Sequence, residues 1–351
     1  MIIKQSMPLI ELADFDYIRR IIKSSQVAKG VFVDQLQSKM NRIIGLRHSF
    51  ATSNGTAALH LALLSLGIKK SDDVIIPSYT CTALLNVIYY VGANPVLVDI
   101  DAETFNLTPN TIKHKLTKKT KAIIVTHTFG FPGDLDGILK LGIPIIEDCA
   151  HSIGSLYKGK PTGTKGRIAI FSMYATKMLS SGEGGMICTN DNTIAKRICD
   201  LNNPDKREDY KVRYNYKMSD LTAGLALNQL KKLKRFVDCR ISIATKYKKA
   251  FATLPVNFQK QLPMTRPNYY RFIVFTSKAN KIIKFMQHHG IMCDKPVHKP
   301  LHHYIGSTGS FTGTDAVWNM AVSVPIYPAL KDKQILRIIN TTKSYFNNYS
   351  K

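Results

Sequence analysis

The stretch FSMYATKMLSSGEGG (residues 171–185) sets one lysine, Lys177, between an apolar run at 168–171 and a glycine cluster at Gly182, Gly184 and Gly185. A lysine that acts as a nucleophile needs a loop holding its amine against a bound group rather than in bulk water. Small residues beside it let the backbone approach that group closely. Taken alone, the stretch also has the form of a plain strand-loop-strand connection, so its meaning depends on the segments around it.

Those segments alternate. Strand-like runs at 74–76, 96–98, 122–125, 144–146, 168–171 and 186–189 each end in a small or polar cluster, and helix-length segments separate several of them. Short apolar runs interleaved with helices predict a mostly parallel sheet covered on both faces. Ligands of such sheets bind outside the carboxyl ends of the strands, which directs attention to residues 78–81, 126–128, 148–151 and 172–177. Upstream, the helical spacing of residues 9–25 predicts an N-terminal arm. Ser53-Asn54-Gly55-Thr56 then opens the helix AALHLALLSLGI. A helix N-terminus offers unpaired N–H groups and a positive dipole end, the makings of an anion site; the same residues also suit a simple N-cap before a buried helix. After Asn215 the pattern changes to one long helix expected over 219–250, then a smaller unit with strands near 270–275 and 322–326. The expected division is 1–240 for the arm and large domain, and 241–351 for a small C-terminal domain.

A chain of 351 residues, 44% hydrophobic, can bury a large core in two domains that share one site. The N-terminal region reaches Glu11, Asp14 and Asp16 before any signal-like core develops. The longest apolar stretch, 57–68, is too short to span a bilayer and contains His60. The six cysteines lie far apart with no CxxC pair, a pattern of free thiols in a reducing compartment. A cytoplasmic protein without membrane attachment is expected.

The net charge of +25 predicts a field that attracts phosphorylated ligands, nucleic acid or anionic surfaces. The lysines are spread along the chain, however. The densest cluster, KKLKR at 231–235, faces away from Leu227, Leu230, Leu233 and Val237, as a solvated helix face does. Nucleic-acid binding is not the expected function. GSLYKGK (154–160) has the glycines and lysine of a phosphate loop, but Pro161 replaces the hydroxyl that would bind magnesium, and the strand-loop-helix setting is missing. His298, His302 and His303 hint at a metal, yet Pro300 breaks the helix that would align them and no carboxylate accompanies them at a recognisable spacing, so no metal is expected. Asp99 and Asp101 end a strand, where acids usually face water.

A lysine in a glycine-bounded loop, an acid at a strand end and an anion cradle together describe a pyridoxal phosphate site. That cofactor needs a lysine amine to hold its aldehyde as a Schiff base, a carboxylate for its pyridine nitrogen, donors for its phosphate and a flat or apolar surface against its ring. Asp148 follows the apolar run 143–146, where pairing with a pyridinium offsets desolvation. Gly55 and Thr56 begin a helix, and Ser172, five residues before Lys177, adds a hydroxyl.

SNGTAALHLAL, DVIIPSYTCTALLNVIYYVGANPVLVDID, IIEDCAHSIGS, FSMYATKMLSSGEGGMICTND and YNYKMSDLTAGLALNQLKKL occur in this order. Together they resemble the DegT/DnrJ/EryC1/StrS family, from about residue 8 to residue 340. The resemblance implies an α/β chain of fold-type I, with a large domain built on a mostly parallel mixed sheet flanked by helices and a smaller C-terminal α/β domain. It implies a pyridoxal phosphate-dependent aminotransferase acting on nucleotide-linked keto sugars. Lys177 corresponds to the Schiff-base lysine, Asp148 to the partner of the pyridine nitrogen, and Gly55, Thr56 and Ser172 to phosphate ligands. Asn215 matches an asparagine that reaches the phosphate from the neighbouring subunit, which implies a homodimer with shared sites. His151 stands where the family often has glutamine, near the ring's hydroxyl.

Departures from the family pattern concern the substrate. Cys81 occupies a position that is often aromatic and stacks on the ring, a role that could pass to Tyr79. Lys217 replaces an arginine and loses its bidentate fork. Val297 stands where many relatives have histidine, and His298 where they have an aromatic residue. Relatives that act as sugar dehydratases carry histidine in place of the lysine; Lys177 is present, so the resemblance implies an aminotransferase. The implied reaction moves the amino group of glutamate to a nucleotide-linked keto sugar, foremost a 4-keto-6-deoxyhexose. The alternatives are a 3-keto acceptor and a catalytically silent, cofactor-binding regulator.

Overall fold

The computed structural model describes residues 2–349. In chain order its strands are β1 (His48–Thr52), β2 (Asp73–Pro77), β3 (Asn94–Val98), β4 (Thr120–Thr126), β5 (Ile145–Asp148), β6 (Leu156–Tyr157), β7 (Lys160–Pro161), β8 (Ile168–Ser172), β9 (Gly185–Thr189), β10 (Asn257–Phe258), β11 (Thr265–Arg266), β12 (Phe272–Phe275) and β13 (Ala321–Val324). Seven of them form one sheet in the order β1-β9-β8-β5-β4-β2-β3. The pairs from β8 through β5, β4 and β2 to β3 are parallel, and β9 runs antiparallel to both of its neighbours. This is the mostly parallel mixed sheet expected.

The continuous apolar runs reflect burial on both faces of this sheet. Ile75, Ile123 and Ile145 enter one core, while Ile76, Ile124 and Ile146, their chain neighbours, enter another. Each fully buried side chain of this size contributes about 1.5–3 kcal/mol. All six expected strands are present. The strand β1 was not among them, because HSFAT has polar residues at three of its five positions and no apolar run; its pairing with β9 defines it.

The helix Gly55–Ser65 is apolar all round because it is buried all round: Ala58, Leu59, Leu61, Ala62 and Leu63 lie in the core beside Ile170 and Ile187. Asn54 caps it, its side chain accepting from Ala57 N–H at 2.8 Å. The arm forms the helix Leu12–Ser24, opened by a reciprocal cap between Glu11 and Asp14.

The long helix expected over 219–250 is instead two helices, Asp220–Lys231 and Leu233–Phe251. They meet at Lys232 (φ −91°, ψ −2°), whose backbone N–H closes a tight turn on Gln229 O. Its amine is drawn to the arm, 2.8 Å from Asp14 and 3.1 Å from Glu11. No glycine or proline marks this break, so the sequence shows only continuous helical spacing. The second helix passes between cores. Leu233 and Val237 pack with Phe171 and Met186, whereas Ile243, Tyr247 and Phe251 pack with Phe272, Val274, Val322 and Val324 of the antiparallel sheet β10-β12-β13. Ile3 joins this C-terminal core through a bridge to Ile291.

GSLYKGK folds as the hairpin β6–β7, with Lys158 (φ 48°) and Gly159 (φ 76°) at its tip, a two-residue turn rather than a phosphate loop. Asp99 does not merely face water: its carboxylate accepts from the N–H groups of Gly313 (2.8 Å) and Thr314 (2.7 Å), opening the helix Thr312–Met320.

Candidate active site

A cavity of about 380 Å3 opens at the carboxyl ends of β2, β4, β5 and β8, where a parallel sheet is expected to hold its ligand. Of the residues singled out in the sequence, Tyr79, Cys81, Asp148, His151, Lys177 and His298 line it. Lys177 comes from the loop between β8 and β9. Met173 N–H donates to Gly184 O (2.8 Å), Ser181 N–H to Met173 O (2.9 Å) and Lys177 N–H to Tyr174 O (2.8 Å). These bonds close the loop on itself and present the lysine on the cavity wall, its Nζ 5.3 Å from the centre of the Tyr270 ring.

Asp148 is the last residue of β5 and is 8% exposed. Its Oδ1 accepts from Ala150 N–H at 2.9 Å. Burial pushes its pKa up, against the opposing pull of that N–H and of the Lys177 charge. A carboxylate so placed gains from a cation brought to it. The imidazole of His151 is stacked on Tyr270 (4.3 Å, 17°) and, farther off, on Phe129 (6.0 Å, 21°). Burial, reinforced by Lys177 and Arg271, holds His151 well below the ordinary histidine pKa, so its ring is neutral with one donor and one acceptor nitrogen. Asn268 fixes the turn beneath it, donating from Nδ2 to His151 O and Ile153 O, each at 2.9 Å.

Next to Asp148, Glu147 points into the opposite layer and is fully buried. It accepts from His127 Nε2 (3.0 Å) and from the N–H groups of Gly163 (2.7 Å), Lys165 (2.7 Å) and Gly166. Burial pushes its carboxyl up, but the hydrogen bonds of His127, Gly166 and Gly163 hold it below its ordinary value. His127 lines the cavity, and Gly133 N–H donates to its Nδ1, so Nε2 carries the proton given to Glu147.

Gly55, Thr56 and Ser172 lie beside this cavity rather than on its wall. A Cβ at Gly55 would stand 3.0 Å from Ser172 Cβ and 3.3 Å from its Oγ. The helix N-terminus and the serine hydroxyl therefore face each other across a gap that only glycine leaves open. Gly185 serves the same junction: a Cβ there would meet Asn54 O at 2.3 Å. The cradle, the buried carboxylate of Asp148 and the amine of Lys177 match what pyridoxal phosphate requires, so these residues fit the cofactor.

Two positions are not brought to the cavity within one chain. Asn215 is exposed, and Lys217 pairs with Asp205. Tyr79 reaches the cavity but its ring is enclosed, edge-on to Phe105 and Phe129. No carboxylate stands at a recognisable spacing from the histidines in sequence, but the fold brings one to two of them. Asp315, remote in sequence, lies with its Oδ1 3.2 Å from His302 Nε2 and 3.3 Å from His303 Nε2. His302 Nδ1 also meets Ser78 Oγ at 2.7 Å, which ties this segment to the end of β2. Tyr270, Arg271, Phe129 and Tyr304 also line the wall, and the sequence alone does not mark them as site residues. The sequence marks Tyr270 and Arg271 only as the start of a strand, which in fact begins at Phe272. Burial pushes the Tyr270 phenol up; Lys177 and Arg271, a hydrogen bond with Thr176, and Arg240 bring it down to about 8.

The family model of the DegT/DnrJ/EryC1/StrS aminotransferases matches residues 8–343. The chain is 30% identical to a GDP-perosamine synthase of Vibrio cholerae, over 97% of this chain and 98% of that protein. It is 32% identical to a GDP-perosamine synthase of Escherichia coli O157:H7, over 95% of each. In structure it is similar to the aminotransferase TlmJ of Streptoalloteichus hindustanus, with a TM-score of 0.95, 26% identity and complete coverage of both chains. A lysine loop, a buried acid and an anion cradle at one end of this sheet agree with that likeness, and the chain belongs to the DegT/DnrJ/EryC1/StrS family of pyridoxal phosphate-dependent aminotransferases.

Proposed function

We propose that the protein moves the amino group of glutamate to a nucleotide-linked keto sugar, an NDP-4-keto-6-deoxyhexose, to make an aminosugar for glycan synthesis. The observation that carries this reading is the convergence of Lys177, Asp148 and the Gly55–Ser172 cradle at the carboxyl ends of one sheet. The likeness to two GDP-perosamine synthases supports a GDP-linked sugar as the acceptor.

The roles of the residues follow from their settings. Bound pyridoxal phosphate supplies an electron sink for the carbon that loses or gains a proton. Asp148 is the group to hold the proton on the ring nitrogen, because its buried carboxylate gains most from a neighbouring cation. Lys177 is the general base and acid that carries a proton at the donor's α-carbon, and then at the acceptor carbon. The neutral imidazole of His151 is available as a hydrogen-bond partner for the ring's hydroxyl. Gly55, Thr56 and Ser172 hold the phosphate, and Tyr79 and Cys81 border the ring. His298, on the cavity wall, is assigned to the substrate, and so is Lys217, which like Asn215 would serve the site of a neighbouring copy.

Exposure of Asn215 is consistent with its serving the phosphate of a neighbouring copy in a homodimer. The boundary between the large and small domains is placed near residue 240, where the helix Leu233–Phe251 passes from one core to the other. No helix among the described residues is long and apolar enough to cross a membrane, and the cytoplasm is the proposed location.

The test is a panel of GDP- and dTDP-linked 4-keto and 3-keto sugars, incubated with enzyme and glutamate and analysed by mass spectrometry. Amine product from the GDP-linked 4-keto sugar, absent with Lys177→Ala, is the expected outcome. Amination of 3-keto sugars alone would replace the acceptor, and no amination at all would contradict the reading.

A further inference from the structure

The cavity wall holds a cation without a counter-ion. Arg271 lies just before β12, and among the described residues no carboxylate pairs with it. Its Nη1 donates to Ser323 Oγ at 3.1 Å, which leaves the rest of its donor fork uncommitted to any acid. Its guanidinium carbon is 5.5 Å from the centre of the Tyr270 ring, the same ring that lies 5.3 Å from Lys177 Nζ. The acid on this wall, Asp148, is committed to the cofactor's nitrogen in the reading above.

An independent observation points to the same place. The Tyr79 hydroxyl, on a residue 1% exposed that also lines the cavity, has no hydrogen-bond partner among the described residues. Buried hydroxyls in native proteins are nearly always paired, so an orphan on a cavity wall marks a group that a ligand completes. Arg271 is the cation that acts on this phenol: burial pushes the Tyr79 pKa up and the Arg271 charge opposes it.

We infer that Arg271 and Tyr79 form a carboxylate subsite, and that it takes a carboxylate of a dicarboxylic amino donor. This rests on the aminotransferase reading and names the residues that select its donor. A planar guanidinium and a hydroxyl together offer a fork and a third donor, which suits a carboxylate. Location separates the donor from the acceptor's diphosphate. The donor's nitrogen must come to where the Lys177 amine serves, so its own carboxylates fall a few bonds away, beside the ring that Arg271 shares with Lys177. The acceptor's phosphates are held off from its reacting carbon by the sugar ring, toward the exposed His298 and Tyr304.

The test uses cofactor-loaded enzyme and glutarate, a dicarboxylate with no amine to transfer, titrated by calorimetry. Wild type is expected to bind glutarate, and Arg271→Gln to bind it at least about tenfold more weakly. The KM for glutamate should rise in parallel, while the amine-loaded form of the variant reacts with keto sugar at the wild-type rate. Tyr79→Phe removes one hydroxyl and leaves the Ser323 contact intact, so it covers the case in which Arg271→Gln fails to fold; a several-fold loss is expected. Unchanged glutarate binding in both variants would overturn the subsite, as would a loss confined to the keto-sugar step. A wild type that binds glutarate through Arg271 but transfers no amino group would instead sink the aminotransferase reading and leave the subsite standing.

Discussion

At the scale of single residues, adjacent acids at the end of β5 have opposite tasks. Asp148 faces the cavity with its charge under-compensated, whereas Glu147 is saturated by three backbone N–H groups and His127. Glutamine at position 147 would put an NH2 group against donors that need an acceptor. Glu147→Gln is therefore expected to cost roughly 3 kcal/mol of stability, read from denaturant unfolding at neutral pH. The pH dependence follows from the lowered pKa. The carboxylate's contribution is complete above its unfolded value and is lost as pH falls through the lower folded one, so wild type carries an acid sensitivity that the glutamine variant lacks. Equal stability of the two proteins at neutral pH would show that the network around Glu147 is dispensable.

Among the elements, the junction of the helix Gly55–Ser65 with β8 and β9 decides whether a phosphate has a place. Gly55→Ala sets a methyl group 3.0 Å from Ser172 Cβ, inside the cradle. Cofactor affinity should fall about tenfold, equivalent to about 1.4 kcal/mol, in an absorbance titration of cofactor-free protein. Unchanged affinity would move the phosphate elsewhere. Much of this level was legible in the sequence. The six apolar runs gave strands because burial on both faces leaves an unbroken signal, and the loop of Lys177 was bounded by its glycines. What stayed hidden depends on contacts remote along the chain. β1 is defined by β9, the break at Lys232 by the acids of the arm, and the Asp315 partner of His302 and His303 by the way the C-terminal segment folds back on β2. Tyr270 and Arg271 belong to the same group: their roles arise from meeting Lys177 and His151 across the cavity.

For the whole molecule, two features of the sequence acquire different standing. The free cysteines stay apart in the fold, and Cys149, Cys188 and Cys293 are buried as apolar groups. The charge is unevenly placed: residues 241–351 contain only Asp294, Asp315 and Asp332 as acids and no glutamate, so the C-terminal part carries much of the positive field. Arg271 and Lys299 bring part of that field to the cavity, where anionic substrates are drawn in. The most direct measurement is the visible absorbance spectrum of the purified protein, supplied with pyridoxal phosphate, before and after glutamate is added. Wild type should show a yellow band that glutamate converts to the shorter-wavelength absorbance of the amine-loaded cofactor, and Lys177→Ala should not make that conversion. A wild-type protein that stays colourless with added pyridoxal phosphate, or whose band glutamate leaves unchanged, would contradict the account.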